Sequence, residues 1–302
     1  MYALETEKLS KSYGRFKVLD GLDAHVPQGA IYGLVGKNGA GKTTLIRIIC
    51  GLQSPTSGGF SIYGVPSAGR INSARTRIGA VVETPSIYSD MSARDNLRMQ
   101  YRVLGLPSEA DIEKLLKLVG LSDTGRKKAG HFSLGMRQRL GIAVALAGSP
   151  DLLILDEPIN GLDPQGIIEI RELILKLNRE LGITVLVSSH NLDELSRIAT
   201  HYGFINEGRT VREISRQELD KACRRCMRLV VRNMPALCKV LDESGLDYMV
   251  ASPSEAEVYG QISISRLAAA MTEAGGELIA VQESEESLES YYMNLMGGAA
   301  NG

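Results

Sequence analysis

Residues 36–43 read GKNGAGKT. Gly36, Gly39 and Gly41 free the backbone to take conformations that a side chain forbids, so successive N–H groups can turn inward around an anion. Lys42 adds a positive charge for the β- and γ-phosphates, and Thr43 a hydroxyl for Mg²⁺. The chemistry is capture of a nucleoside triphosphate such as ATP. An apolar run, Ala30-Ile31-Tyr32-Gly33-Leu34-Val35, precedes the loop, and a helical pattern from Thr44 to Ile49 follows it. The dipole of that helix favours phosphate at its start. A Gly-rich turn with a chance lysine would not explain both flanks.

Two more clusters suit the same chemistry. Leu152-Leu153-Ile154-Leu155-Asp156-Glu157-Pro158 is an apolar strand ending in two carboxylates. In a parallel α/β sheet, ligands bind beyond the carboxyl ends of the strands. Asp156 is placed to hold Mg²⁺ through water, and Glu157 to polarise an attacking water as general base. Ser188-Ser189-His190 ends another buried strand in the same sense. His190 would emerge at the same edge, able to donate to a γ-phosphate and hold the water. A solvated acidic pair and a structural histidine are the bland readings, and the phosphate loop weighs against both. Phe132-Ser133-Leu134-Gly135-Met136 is a third anion site in form. Ser133 is a good N-cap, and Gly135 allows close approach in the first turn. It lies far along the chain from the loop, so its simplest use is on a nucleotide held by a second subunit.

These residues need a scaffold. Short apolar or β-branched runs over 30–35, 78–82, 152–155 and 184–188 read as buried parallel strands. Alternating segments over 2–9, 17–26 and 54–65 suggest a small antiparallel sheet beside them. Between 92 and 148 the period turns helical, with apolar stripes over 93–104, 109–119 and 134–147. A further helix is expected over 167–180. Beyond about residue 212 the order becomes β-α-β-β-α-β, a ferredoxin-like split βαβ pattern, with strands over 227–231, 246–250, 256–262 and 277–281 and helices over 235–244 and 265–274. A last helix is expected over 285–296. The fold class is therefore α/β: a P-loop nucleoside-triphosphatase core with an antiparallel β subdomain and a helical insertion, plus a small α+β domain.

The chain has 302 residues, 34 basic against 35 acidic, for a net charge of −1. This leaves no global nucleic-acid footprint. No apolar stretch reaches about 18 residues, and the N-terminus lacks the apolar core of a signal peptide. The expectation is a cytoplasmic protein with reduced thiols. Cys50 reads as packing. Cys223-Arg-Arg-Cys226 has ligand-like spacing without a second pair to complete four zinc ligands. A basic cluster, Lys221, Arg224, Arg225, Arg228 and Arg232, is the one hint of nucleic acid, with a solvated face as the plainer reading.

Taken together, the chain resembles the ATP-binding cassette (ABC) ATPases over residues 1–215. GKNGAGKT, LLILDEP and the signature-like FSLGMRQRL occur in family order. Asn160-Gly161-Leu162-Asp163-Pro164 is similar to the D-loop, and His190 to the switch histidine. The branch resembles the single-cassette bacitracin- and lantibiotic-exporter type. The resemblance implies a helical subdomain over about 88–148 and an accessory domain over 216–302. It implies that Tyr13 stacks on adenine and that Asn38, Ala40 and Thr44 complete the nucleotide-binding set. It also implies a homodimer or cassette heterodimer closing over two ATP, each held between Lys42 of one subunit and Ser133 of the other. A separate transmembrane permease would anchor it to the inner face of the plasma membrane, and no nucleic acid is expected. Two positions depart from the pattern. Leu134 and Met136 replace Gly and Gln of the usual signature. Glu83 stands where a glutamine usually reaches Mg²⁺ and touches the permease; a carboxylate can still ligate Mg²⁺. The competing class is a soluble cassette ATPase acting on DNA or ribosomes. Coiled-coil insertions or a second cassette would favour it, and the sequence has neither.

Overall fold

A computed structural model describes residues 1–222, 226–259, 262–284, 288, 291–293 and 295. The chain divides into two compact units, Met1–Arg216 and Gln217–Gly302.

The first unit begins with a long hairpin, β1 (Tyr2–Tyr13) and β2 (Phe16–Pro27), followed by β3 (Ile31–Val35) and α1 (Lys42–Ile49). β4 (Ser57–Ile62), β5 (Val65–Pro66), α2 (Ile71–Arg75) and β6 (Ile78–Val81) come next. The helical insertion holds α3 (Ala93–Val103), α4 (Ile112–Leu118) and α5 (Leu134–Leu146). The chain returns through β7 (Leu152–Asp156), α6 (Pro164–Leu181), β8 (Thr184–Ser189), α7 (Leu192–Ile198), β9 (His201–Asn206) and β10 (Arg209–Ser215); α8 (Arg216–Ala222) then leads into the second unit.

Two sheets result. An antiparallel one has the order β2-β1-β4-β5. The central one has the order β10-β9-β3-β8-β7-β6, parallel from β9 to β6, with β10 antiparallel at one edge. β3, β7 and β8 are buried along their whole length, which is why they read as unbroken apolar runs. α1 joins the sheets: its Leu45, Ile46, Ile48 and Ile49 share one core with Leu4, Leu19 and Leu22 of the hairpin and Leu34, Ile154 and Leu186 of the parallel strands. Side-chain caps start α3 (Ser92), α5 (Ser133), α6 (Asp163) and α7 (Asn191).

The four expected parallel strands are present. The hairpin strand runs past the expected residue 9 to Tyr13, because Ser12 and Tyr13 pair with Lys17 and Phe16. The helix expected over 167–180 begins earlier, since Asp163 caps it and Pro164 occupies its first turn. β9 and β10 were not expected. They form a hairpin turned at Glu207 and Gly208, both at positive φ.

The second unit has its own core, built on Leu229, Val231, Leu237, Leu241, Val258 and Met271. Its elements are β11 (Cys226–Val231), α9 (Met234–Glu243), β12 (Asp247–Ser252), β13 (Glu255–Tyr259), α10 (Ile264–Glu273) and β14 (Leu278–Ser284). The sheet order β12-β13-β11-β14, antiparallel throughout, is the ferredoxin-like arrangement. The helix expected over 285–296 lies largely outside the described residues, as do Cys223, Arg224 and Arg225.

Candidate functional site

β3, β7 and β8 are neighbours, so their carboxyl ends open side by side. The segment after β3 forms a cavity of about 190 Å³ lined by residues 37–44, Val18 and Glu157. It thus gathers Asn38, Gly39, Ala40, Gly41, Lys42, Thr43 and Thr44. Gly41 lies at φ 106°, and a Cβ there would come within 2.6 Å of Leu19. Gly36 has no such φ, but a Cβ on it would meet the Ile205 carbonyl oxygen at 2.7 Å. Gly41 is also the N-cap of α1, which has no side-chain cap and no acid in its first turn. Its first N–H groups are left to whatever enters the cavity.

Lys42 is 6% exposed. Its ammonium donates to the Gly36 carbonyl at 2.7 Å and sits 3.2 Å from Glu157 Oε1. That second contact is an ion pair without hydrogen-bond geometry, since Glu157 Oε1 is buried and has no hydrogen-bond partner. The other oxygen, Glu157 Oε2, is 2.8 Å from His190 Nδ1, a bond made by the tautomer that carries its proton on Nδ1. Asp156 is 1% exposed and directly opposite Ser188 across the β7–β8 ladder. The Ser188 hydroxyl donates to Asp156 Oδ1 at 2.6 Å. Asp156 Oδ2 is buried without a hydrogen-bond partner. A buried anionic oxygen in that state is unfavourable unless a cation or donor meets it. A single carboxylate with one oxygen left over suits Mg²⁺, which fills its shell with water and substrate phosphate oxygens.

Glu157 lies at φ 48°. Its N–H donates to Ser188 Oγ at 2.9 Å and is 3.2 Å from the Ser188 carbonyl. Lys42, Asp156, Glu157 and His190, four sequence-derived candidates, thus form one connected group. Such a group can bind a polyphosphate, hold a cation and take a proton from water.

The remaining candidates are placed differently. Tyr13 is exposed at the tip of the β1–β2 hairpin, and its hydroxyl donates to Gln53 Oε1. The same loop holds the strand end through Lys11 Nζ to the Ser54 carbonyl at 2.7 Å and Ser12 N–H to Thr56 Oγ1 at 3.0 Å. Glu83 follows β6 at φ 59° and pairs with Arg47 of α1 at 2.5 Å. Ser133 accepts from the Met136 N–H at 3.2 Å as the N-cap of α5. A Cβ on Gly135 would lie 3.8 Å from Gly166, and one on Gly161 would lie 3.4 Å from Leu134, so the signature-like turn packs on the 160–166 segment of its own chain. Cys50 is packed as expected, and burial pushes its thiol up to about 12.

A larger groove of about 570 Å³, lined by Val119, Arg139, Glu169 and Glu172 among others, shares no residue with the phosphate loop. Size does not mark the site; the convergence of charge does. Ser188, Arg47 and Gln53 were missed by sequence reasoning. Two serines closing an otherwise apolar strand were the available signal for the first.

Comparison with known proteins identifies the family. The ABC transporter family model matches residues 19–160. The chain is 40% identical over 302 residues to the bacitracin transport ATP-binding protein BcrA of Bacillus licheniformis, covering 99% of each chain. It is 44% identical over 210 residues to the lantibiotic transport ATP-binding protein SrtF of Streptococcus pyogenes, covering 70% of this chain and 90% of that one. A dimeric post-hydrolysis structure of the ATP-binding cassette MJ0796 with ADP and Pi superimposes with a TM-score of 0.62 at 26% identity, covering 70% of this chain and 98% of that one. The chain belongs to the ABC transporter family, as an ATP-binding, ATP-hydrolysing subunit.

Proposed function

We propose that this subunit dimerises over two ATP molecules and drives a separate membrane permease that exports a peptide antibiotic of the bacitracin or lantibiotic class. The observation that carries the reading is the group Lys42–Glu157–His190 beside the unpartnered Asp156 Oδ2. The printed functions of BcrA and SrtF supply the cargo class. Residues 1–215 are the ATPase domain and 216–302 an accessory domain.

In this reading the N–H groups at the start of α1 and the Lys42 ammonium bind the β- and γ-phosphates, and Tyr13 stacks on the adenine. Thr43 and Asp156 hold Mg²⁺, with Glu83 as a third candidate. When bound, the ion supplies charge neutralisation on the phosphate oxygens. Glu157 accepts a proton from the attacking water, and His190 holds the Glu157 carboxylate in place. Ser133 and Gly135 complete the site on the partner subunit. Bound γ-phosphate bridges the two halves and its loss releases them, a population shift set by ligand contacts.

Among the described residues no helix is long and apolar enough to cross a membrane. In this reading membrane attachment runs through the permease, at the cytoplasmic face, as the transport functions printed for BcrA and SrtF suggest. The competing nucleic-acid reading rested on a basic cluster whose Arg228 and Arg232 pair with Glu257 and Glu277. Co-purification from native membranes in mild detergent tests the proposal. A bound permease is expected; a wholly soluble ATPase with no membrane partner would overturn it.

A further inference from the structure

Ser188 does not line the phosphate cavity, yet it touches both carboxylate residues of the site. It is 0% exposed, near the end of β8, with Asp156 of β7 on one side and Leu34 of β3 on the other. Its hydroxyl has one proton and two lone pairs. An ionised carboxylate can only accept and a backbone N–H can only donate. The polarity is therefore fixed: the proton goes to Asp156 Oδ1 at 2.6 Å, and a lone pair receives the Glu157 N–H at 2.9 Å.

Each bond has its own consequence. With Oδ1 committed to the serine, Oδ2 is the Asp156 oxygen left without a hydrogen bond. The serine thereby fixes the rotation of the carboxylate and decides which oxygen remains for a cation. The second bond anchors the backbone of Glu157 at φ 48°, a left-handed conformation unusual for a residue with a side chain. That turn carries the Glu157 carboxylate to within 3.2 Å of Lys42 and 2.8 Å of His190.

We propose that Ser188 is a positioning residue of the ATPase site, one hydroxyl that sets both the cation-binding face of Asp156 and the backbone turn of Glu157. The inference rests on the reading of Asp156 as the Mg²⁺ carboxylate and Glu157 as the base. Ser188 touches neither nucleotide nor water in this scheme. It acts as the outer-layer partners of metal ligands do, by orienting the ligand and tuning its basicity.

Three variants of the full chain test it: Ser188→Ala, Ser188→Thr and Asp156→Asn. Nucleotide affinity is measured with a fluorescent ATP analogue in EDTA, and Mn²⁺ affinity by electron paramagnetic resonance with ATP present. Steady-state kinetics gives kcat and KM. For Ser188→Ala, affinity in EDTA is expected to be unchanged, Mn²⁺ affinity to weaken about 10- to 100-fold, and kcat to fall while KM holds. Ser188→Thr keeps the hydroxyl and restores Mn²⁺ affinity and kcat. If Ser188→Ala keeps Mn²⁺ affinity and kcat within about twofold of wild type while Asp156→Asn loses both, the inference is overturned and the Asp156 reading stands. An Asp156→Asn variant with undiminished Mn²⁺ affinity would overturn the reading beneath it. Equal loss in the Ala and Thr variants, with weakened binding in EDTA, would assign Ser188 to packing and overturn the inference as well.

Discussion

The Arg47 guanidinium lies 2.5 Å from the Glu83 carboxylate, tying the helix behind the phosphate loop to the segment that leaves β6. Glu83 is therefore not a free anion beside the polyphosphate. Its charge is matched by a residue of α1, the helix whose first turn faces the nucleotide cavity. The pair is substantially exposed, so it contributes only about 0–1 kcal/mol to stability. In the proposed reading, its importance lies in which partner the carboxylate keeps when nucleotide and metal arrive. Glu83→Gln is expected to leave ATP binding near normal and to alter the Mg²⁺ dependence of hydrolysis or permease-coupled turnover. Arg47→Ala, which frees the carboxylate instead of removing it, should shift the Mg²⁺ titration in the opposite sense. Coincident titrations for all three proteins would remove any special role for this pair.

Glu157 is the proposed proton acceptor, and replacing it isolates that role. Glu157→Gln should still bind ATP, because Lys42 and the start of α1 are intact. Hydrolysis should slow by about 10²- to 10⁴-fold, the usual contribution of a general base. With the γ-phosphate retained, a dimer should accumulate on size exclusion in the presence of ATP. A monomer-only profile would count against the dimeric mechanism.

In the proposed reading the hairpin tip bears on affinity and not on chemistry. Tyr13→Ala should weaken ATP binding by about 1–3 kcal/mol, the range for stacking of a base on an aromatic ring. Gln53→Ala should weaken it less, because the ring stays and only its tether is lost. In both, KM rises with kcat nearly unchanged, the mark of binding lost equally from ground and transition states. Steady-state kinetics with ATP decides the matter; a fall in kcat at constant KM would contradict it.

Within the central sheet, Tyr32 of β3 donates its hydroxyl across β9 to Glu213 of β10 at 2.5 Å. Burial, then the Glu213 charge, hold its pKa well above the usual 10.0. Above about pH 10 the unfolded chain ionises this tyrosine and the folded one does not. The stability it contributes is thus fully present below that pH and lost as pH rises beyond it. Thermal melts between pH 9 and 11 should show a smaller alkaline loss in Tyr32→Phe than in wild type. Gly203 gives this hydroxyl its space: a Cβ there would lie 2.0 Å from it. Gly203→Ala should cost about 1–3 kcal/mol in urea titrations, as overpacking of a core does.

Much of this architecture is legible in the sequence. Buried parallel strands such as Leu152–Asp156 and Thr184–Ser189 announce themselves as apolar runs because both their faces are covered. In the site group, Lys42 followed from the phosphate-loop motif, and Asp156, Glu157 and His190 from the ends of two apolar strands. Other relationships depend on register and side-chain rotation, which sequence patterns do not carry. The opposition of Ser188 to Asp156 needs the β7–β8 ladder, and the Arg47–Glu83 pair joins residues with no shared periodicity. β9 and β10 escaped notice because His201–Asn206 mixes aromatic, glycine and polar residues. Their turn also rests on Glu207 at φ 48°, where a glycine or asparagine would have signalled it.

The uncapped start of α1 has a thermodynamic consequence. α3, α5, α6 and α7 close their first turn with their own serine, aspartate or asparagine, whereas α1 starts at a glycine beside the cavity and, in the proposed reading, leaves that bonding to its ligand. If the nucleotide binds there as proposed, it becomes part of the secondary structure, and local unfolding of the loop and α1 is coupled to its presence. Ligand at a hundred times its dissociation constant adds about 2.7 kcal/mol to the folded state. A turnover cycle is thereby also a cycle of rigidity, with amide hydrogens at the head of α1 exchanging fastest each time the site empties.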